Sequence, residues 1–221
     1  MLERGGKRWR PALYFLVLEA LGGKSCFEKF KQFAVIPEII HNGTLMIDDI
    51  EDNSELRRGK PCTHKIYGID VAINAGNAMY FLPMALLHKN LFVLEANKKV
   101  EVYDLFAEEM TRIHFGQGWD IYWHRNQKEN ILEDEYLQMC AFKTGTLARL
   151  AARLGVIFAN GTANQSLVLG RFAETIGVAF QIQDDILSLT GEKFAKGKGI
   201  GEDIHEGKRT LMVIKALEKL N

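Results

Sequence analysis

The spacing of apolar residues limits this chain to a helical fold. Apolar side chains recur mostly every three or four residues, and only four prolines, at positions 11, 37, 61 and 83, interrupt the 221 residues. No segment shows the alternation typical of a strand. The pattern therefore predicts an all-α fold in a single domain, residues 1–221, with helices at roughly 10–22, 28–52, 69–93, 98–124, 132–159, 165–190 and 203–220.

Two of these segments, 147–158 and 165–182, carry apolar or small residues around most of their circumference. A helix that is apolar on all sides is expected inside a bundle rather than on its surface. We therefore expect both segments to be central.

Charge and composition exclude several function classes. The chain has 28 acidic and 28 basic residues, so no global field attracts it to nucleic acid or to an anionic membrane. No apolar run is long enough to span a bilayer, and the start has no signal-peptide layout. The three cysteines lack metal-type spacing and favour reduced thiols. These features predict a cytoplasmic protein without a zinc site.

Chemistry concentrates first in the stretch 41–58. Asp48 and Asp52 are four residues apart, so they share one helical face, and hard carboxylate oxygens there suit Mg2+. His41 lies seven residues earlier, near the same face. Arg57 and Arg58 follow the carboxylates and are either their salt-bridge partners or bidentate phosphate ligands. This stretch alone does not decide between those roles.

A second acidic pair, Asp184 and Asp185, ends an otherwise apolar helix, which is a costly place for charge without an ion or partner. Two such clusters facing each other across a bundle would hold several Mg2+ ions, and those ions would attract a polyphosphate. Cations lie between and after the clusters, at Lys143, Lys193, Lys196, Lys198, Lys208 and Arg209.

The segment 5–11, GGKRWRP, combines glycines, cations and a proline suited to a first helical turn. It is either a phosphate site or a solvated basic terminus.

Taken together, these motifs resemble the trans-isoprenyl diphosphate synthase, or polyprenyl synthetase, family, and most of all its eukaryotic-type geranylgeranyl diphosphate synthases. The motifs stand in the family's order along essentially the whole chain: GGKRWRP at 5–11, DDIED at 48–52 followed by RRG at 57–59, GQGWDIYW at 116–123, KTG at 143–145, FQIQDD at 180–185, GK at 197–198 and GKRT at 207–210. Ser188 departs from the third aspartate common in the second acidic motif.

The resemblance implies an isoprenoid synthase-type bundle around a central apolar cavity, and it assigns roles by position. Three Mg2+ ions would be held by Asp48, Asp52 and Asp184, with Asp49 and Asp185 in support. The allylic diphosphate would contact Arg57, Lys143, Lys198, Thr144 and Gln181, with Lys208 as a further contact. The diphosphate of isopentenyl diphosphate would be bound by Lys7, Arg10, His41 and Arg58.

The implied reaction ionises the allylic diphosphate and joins the resulting cation head-to-tail to isopentenyl diphosphate, without a protein nucleophile. Small residues at Gly43 and Thr44 would admit a long product, and Tyr80, Phe81 and His114 would form the cavity floor, which favours a twenty-carbon product. The alternatives are a farnesyl or longer-chain synthase, a non-catalytic regulatory subunit, and a terpene cyclase. A cyclase would not need the GGKRWR element.

The resemblance also implies a homodimer. Compared with the family pattern, the chain is expected to lack one N-terminal helix and the C-terminal helices.

Overall fold

The computed structural model describes residues 2–89, 94–125, 130–190, 204 and 207–220. Most of these residues are helical, which confirms the predicted all-α fold. The helices are α1 (Trp9–Phe30), α2 (Val35–Glu51), α3 (Thr63–Tyr67), α4 (Ile69–Lys89), α5 (Ala96–Arg125), α6 (Glu133–Cys140), α7 (Thr146–Phe158), α8 (Ala163–Thr190) and α9 (Leu211–Leu220). Short 3-10 turns lie at Leu2–Arg4 and Lys31–Ala34, and a π turn at Ala141–Gly145 joins α6 to α7.

Helix α7 forms the centre of the bundle. It packs against α1, α5 and α8, and nearly all its side chains are buried. Phe158 at its end stacks against Phe30 and Phe33 in the largest apolar cluster. The prediction that 147–158 lies inside the bundle is therefore confirmed.

The same prediction for 165–182 is wrong for part of its surface. Helix α8 packs on α7 with Gly170, Ala173 and Gly177 but leaves Leu167 and Phe172 exposed. Apolar composition alone did not distinguish the packed face from the exposed one.

Several helix boundaries also differ from the prediction. Gly23 adopts a left-handed φ of 69°, but α1 resumes beyond it and continues to Phe30, so the predicted stop is a kink. The predicted helix 28–52 is divided by the 3-10 turn before α2. The end of the predicted helix 69–93 lies outside the described residues, as does part of 203–220.

A small antiparallel hairpin follows α2, in a stretch where the sequence predicts no strand. Leu56–Arg57 (β1) pairs with Lys60–Pro61 (β2), so the connection is the two residues Arg58 and Gly59. Both have positive φ, 55° and 72°, as a type I′ hairpin turn requires. The hairpin directs Arg57 and Arg58 to different parts of the molecule.

Among helices in the described part of the chain, none combines the length and hydropathy needed to cross a membrane.

Candidate active site

A cavity of about 750 Å³ lies between the helices. Asp48 and Asp184 both line it, so the structure brings the two acidic motifs to one site. Its wall also includes cations from the N-terminal segment, the hairpin and the π turn, and apolar side chains from the helices that surround it. One cavity therefore combines charged walls with apolar ones.

Asp48 is the acidic residue with the most diverse contacts. Its carboxylate accepts hydrogen bonds from Arg57 Nη2 at 3.1 Å and from Gln117 Nε2 at 3.1 Å, and Lys143 Nζ lies 3.5 Å away. Gln117 also donates to Glu51 at 2.8 Å. Asp48 is therefore fixed from the hairpin, from α5 and from the π turn while it still lines the cavity.

Asp49 points away from the cavity and is only 1% exposed. Arg57 Nε donates to it at 2.5 Å. Burial raises the pKa of Asp49, and Arg57 opposes that rise. In this position Asp49 anchors Arg57, in keeping with the supporting role expected for it.

Asp52 is covered by a basic residue from the far end of the chain. Lys208 Nζ lies 2.6 Å from its carboxylate, and the Asp52 side chain is only 2% exposed. Lys208 itself lines the cavity. The ion pair therefore brings the GKRT segment to the first acidic motif.

The π turn at Ala141–Gly145 presents Lys143 and Thr144 to the cavity. Lys143 Nζ lies 2.5 Å from Asp120. Burial lowers the pKa of Lys143, but Asp120 and Asp48 outweigh that effect, so its pKa is raised and the ammonium is retained. The turn therefore places a permanent cation beside Asp48.

Glycines allow the π turn to lie close to its neighbours. A Cβ at Gly116 of α5 would be 2.3 Å from Lys143 N, and one at Gly177 of α8 would be 2.6 Å from Gly145 Cα. The turn is thus held between two helix backbones that carry no side chains there.

The second acidic motif is held by a chain of hydrogen bonds. Thr144 Oγ1 donates to Gln181 Oε1 at 2.7 Å, and Gln181 Nε2 donates to Asp185 at 2.8 Å. Asp185 is buried and also accepts a 2.6 Å bond from Tyr136 Oη. Asp184, the residue before Asp185 in α8, lines the cavity. This series of hydrogen bonds therefore fixes the helical turn that carries Asp184.

A basic pocket forms where α1 begins. Arg10 is buried, and its Nε has no hydrogen-bond partner among the described residues. Burial lowers the pKa of Arg10 to about 10, although Glu38 and Asp184 oppose it. Burial, together with Arg10 and Arg58, also lowers the pKa of His41. An unpaired buried donor among like charges is the environment that an anion stabilises.

The hairpin and the N-terminal segment complete this pocket. Arg58 donates to the Gly5 carbonyl, and Lys7 Nζ lies 4.4 Å from the centre of the Phe180 ring. Trp9 stacks on the same ring, with centroids 5.4 Å apart. The segment is thereby attached to α8 one turn before Asp184.

Two of the predicted chain-length residues, Phe81 and Gly43, do not line the cavity. Tyr80 lines the cavity and contacts His114 edge-on, with ring centroids 5.4 Å apart, and Thr44 also lines it. Phe81 is 67% exposed, since consecutive helical residues point about 100° apart, so it forms no floor within this chain. Gly43 is buried against Gly76 and Tyr80 of α4 and does not open into the cavity.

Sequence reasoning missed several residues that line the cavity, including Glu51, Gln117, Asp120 and Tyr136. Gln117 and Asp120 lie within the motif GQGWDIYW, three residues apart, which places them on one helical face. That spacing was an available signal. Lys198 lies outside the described residues.

The carboxylates form two separate groups rather than one compact ligand cluster. Among the described residues, no group of three or more His, Cys, Asp or Glu side chains is close enough to hold a metal ion. A divalent ion between Asp48 and Asp184 would therefore need ligands from a bound anion as well.

An all-α bundle with acidic motifs on two helices of one cavity defines the isoprenoid synthase class of proteins. Comparison gives the family: the polyprenyl synthetase sequence model matches residues 1–221, and the chain belongs to that family.

Individual relatives support this family assignment. The geranylgeranyl pyrophosphate synthase of Dictyostelium discoideum is 40% identical over 97% of this chain and 66% of its own. A crystal structure of a geranylgeranyl pyrophosphate synthase superposes with a TM-score of 0.89 at 30% identity, covering 98% of this chain and 64% of the other. The polyprenyl synthase of Caulobacter crescentus, complexed with calcium and isoprenyl diphosphate, gives 0.85 at 28% identity, covering 99% and 63%.

The chain spans about 52% to 66% of the length of the curated relatives it matches.

Proposed function

We propose that the protein is a Mg2+-dependent prenyltransferase that extends an allylic diphosphate with isopentenyl diphosphate, with geranylgeranyl diphosphate as the product. The observation that carries this proposal is the single cavity in which Asp48 and Asp184, a buried basic pocket and an apolar wall meet. A substrate with a diphosphate head and a hydrocarbon tail matches that arrangement.

The donor set fits a hard divalent cation. Asp48 and Asp184 offer carboxylate oxygens, the ligands that Mg2+ prefers, and diphosphate oxygens would complete its coordination. Asp52 would join them once Lys208 moves from its carboxylate to the substrate. The calcium and isoprenyl diphosphate bound by the Caulobacter relative support this proposal. We retain three ions as a prediction, with Asp49 and Asp185 holding the liganding residues in place.

Bound Mg2+ would stabilise the negative charge that develops as the allylic carbon–oxygen bond breaks. Lys143 and Arg57, each fixed by carboxylates, would contact the leaving diphosphate, and Thr144 and Gln181 would orient it. The raised pKa of both cations keeps them charged throughout. Preorganised cations of this kind need no rearrangement as charge develops. Lys198 remains a predicted contact.

The basic pocket would bind the second diphosphate. Arg10, Arg58 and His41 converge there, and Lys7 lies beside it. The unpaired Nε of Arg10 supplies a donor that a diphosphate oxygen would satisfy. Two diphosphate sites in one cavity support a condensing enzyme over a cyclase, which needs one. The presence of both acidic motifs and both sets of cations supports a catalytic chain over a regulatory subunit.

The product is limited by the pair Tyr80 and His114. The His114 ring is fixed by a 2.7 Å contact between Nδ1 and the Met110 carbonyl. Thr44 and Ile47, which also line the cavity, are not aromatic. This geometry supports a twenty-carbon product, with farnesyl or longer products as the alternative.

We also propose a homodimer that buries an apolar face of α4 and α5. These helices expose aromatic and aliphatic side chains at Phe81, Leu82, Phe115, Trp119 and Tyr122. Exposed apolar area of this kind is typical of a protein interface.

The cysteines of the described structure are free, which supports the predicted cytoplasmic location.

The direct test is to incubate the protein with labelled isopentenyl diphosphate, farnesyl diphosphate and Mg2+, and to size the dephosphorylated products. We expect geranylgeraniol, and no product when the metal is chelated. A folded protein that binds both substrates but releases no elongated product would refute the synthase proposal and favour a regulatory subunit.

A further inference from the structure

A buried ionic cluster lies beside the π turn, and its central residues do not line the cavity. Its centre is Arg149 of α7, which is 6% exposed and contacts Glu109 of α5 and Glu174 of α8. Arg149 Nε and Nη2 lie 2.8 Å and 2.6 Å from the carboxylate oxygens of Glu109, which is fully buried. One guanidinium therefore joins α5, α7 and α8, three of the helices that contact the turn.

Outer arginines complete the cluster. Arg153 donates to Glu109 at 3.0 Å and to Glu108 at 2.6 Å, and Arg171 donates to Glu174 at 2.8 Å. Paired carboxylates tolerate burial only with such partners. Replacing buried ion pairs with apolar groups is often neutral or stabilising, so stability alone does not account for this cluster.

The cluster is connected to the π turn by hydrogen bonds. Arg149 Nη2 donates to Thr146 Oγ1 at 3.1 Å, and Thr146 Oγ1 donates to the Ala141 carbonyl at 3.4 Å. Ala141 is the first residue of the turn and Thr146 is the first residue after it. The two bonds therefore join Arg149 to both ends of the segment that carries Lys143.

Glu174 contacts the turn as well. Its main chain and side chain lie against Gly145, where a Cβ would be 3.0 Å from Glu174 Cγ and 3.0 Å from its carbonyl oxygen. Arg149 therefore holds the turn from two directions, through Thr146 and through Glu174.

We infer that Arg149 is a positioning residue for the prenyl transfer: it locks the π turn so that the Lys143 ammonium lies between Asp48 and Asp120. It touches no substrate and acts through Lys143. This inference rests on the proposed function, because it assigns Lys143 to the allylic diphosphate.

The test is a double-mutant cycle between Arg149→Lys and Lys143→Ala. Lysine retains the charge of Arg149 but cannot contact Glu109, Glu174 and Thr146 together. Alone, it should lower kcat about tenfold to a hundredfold, the cost of misplacing a catalytic group by about 1 Å. In the Lys143→Ala background it should cost less than about threefold further, because the group that it positions is gone.

Three further measurements separate positioning from stability. The KM for the allylic diphosphate should rise while the KM for isopentenyl diphosphate stays unchanged, since Arg10 and His41 do not contact this cluster. Thr146→Val, which removes only the hydrogen-bonding group, should reproduce part of the effect. An unreactive allylic thiodiphosphate with Mg2+ should bind more weakly to Arg149→Lys, as measured by calorimetry. Its binding to Arg153→Gln, the control described next, should not weaken.

Arg153→Gln is the matched control. It removes an arginine from the same Glu109 carboxylate, but Arg153 contacts no residue of the π turn in the described hydrogen bonds. It should lower the midpoint of thermal unfolding yet leave kcat of the folded enzyme within about twofold.

The outcomes are distinct. An inactive wild-type protein would refute the proposed function. An active wild type in which Arg149→Lys costs the same factor with and without Lys143, or in which Arg153→Gln has an equal effect on kcat, would overturn the inference and leave the proposed function intact.

Discussion

Gly116→Ala is the substitution that most directly tests how α5 and the π turn place the catalytic lysine. Gly116 faces the backbone of the turn, where an added Cβ would lie 2.3 Å from Lys143 N and 2.7 Å from Phe142 C. Ordinary van der Waals contact begins at 3.4 Å. Both near atoms belong to the main chain, so no flexible side chain can move aside, and the turn itself must shift by roughly 1 Å.

That shift gives the magnitude of the expected effect. Lys143 Nζ lies 2.5 Å from Asp120 and 3.5 Å from Asp48, so a movement of about 1 Å removes the ammonium from at least one of them. A displacement of this size in a catalytic group costs about a hundredfold in rate. Overpacking should also lower the free energy of unfolding by about 1 to 3 kcal/mol.

The assay measures kcat for the condensation at 25 °C, normalised to the folded fraction from urea denaturation. Gly118→Ala is the matched control: it lies on the same helix two residues later, and no atom lies within 4 Å of its added Cβ. It should leave kcat unchanged and stabilise α5 by up to about 1 kcal/mol. A Gly116→Ala enzyme with the kcat of wild type would show that the close approach does not place Lys143.

Three other predictions concern metal, product length and pH. Asp48→Asn should lower kcat by at least about a hundredfold through loss of a Mg2+ ligand, measured over a Mg2+ titration; a near wild-type rate at every concentration would contradict its role. Tyr80→Ala should yield products beyond twenty carbons in the chromatographic profile, whereas Phe81→Ala, exposed on α4, should not; the reverse pattern would restore Phe81 as the floor. His41 has a lowered pKa in the folded protein, so the unfolded state binds its proton first and stability falls as the pH drops below about 6.5. Between pH 7.5 and 5.5, urea unfolding should show a loss of at most about 1.4 kcal/mol that His41→Asn lacks.

The sequence predicted the helical architecture, because periodicity over whole helices is a strong and local signal. It also indicated that Asp48 and Asp184 share a site, since charge at the end of an apolar helix requires a partner. It did not predict that Arg57 and Arg58 lie on a hairpin. That hairpin depends on two left-handed residues, one of which is an arginine, a residue that rarely adopts this conformation.

The sequence also did not show which side of a helix each side chain faces. Tyr80 and Phe81 are adjacent aromatic residues that the sequence does not distinguish. Only the packing of α2 on α4 shows that Tyr80 faces the cavity. In the sequence, Gly43 indicates an opening in the cavity wall. In the structure, Gly76 and Tyr80 occupy the space where a side chain at Gly43 would lie. A small residue can mean space for a ligand or contact between helices, and sequence alone does not separate the two.

The glycines that accompany the catalytic residues explain why chemistry and packing share the same motifs. Gly116 precedes Gln117, and Gly145 follows Lys143 and Thr144. Each glycine admits a neighbouring backbone, and each adjacent polar side chain then reaches across the shortened distance: Gln117 to Asp48, and Thr144 to the Gln181 that fixes Asp185. A larger residue at either glycine would separate the helices before it touched any substrate. The two acidic motifs, far apart in the sequence, are therefore held at a common cavity by close backbone contacts as much as by the charges they carry.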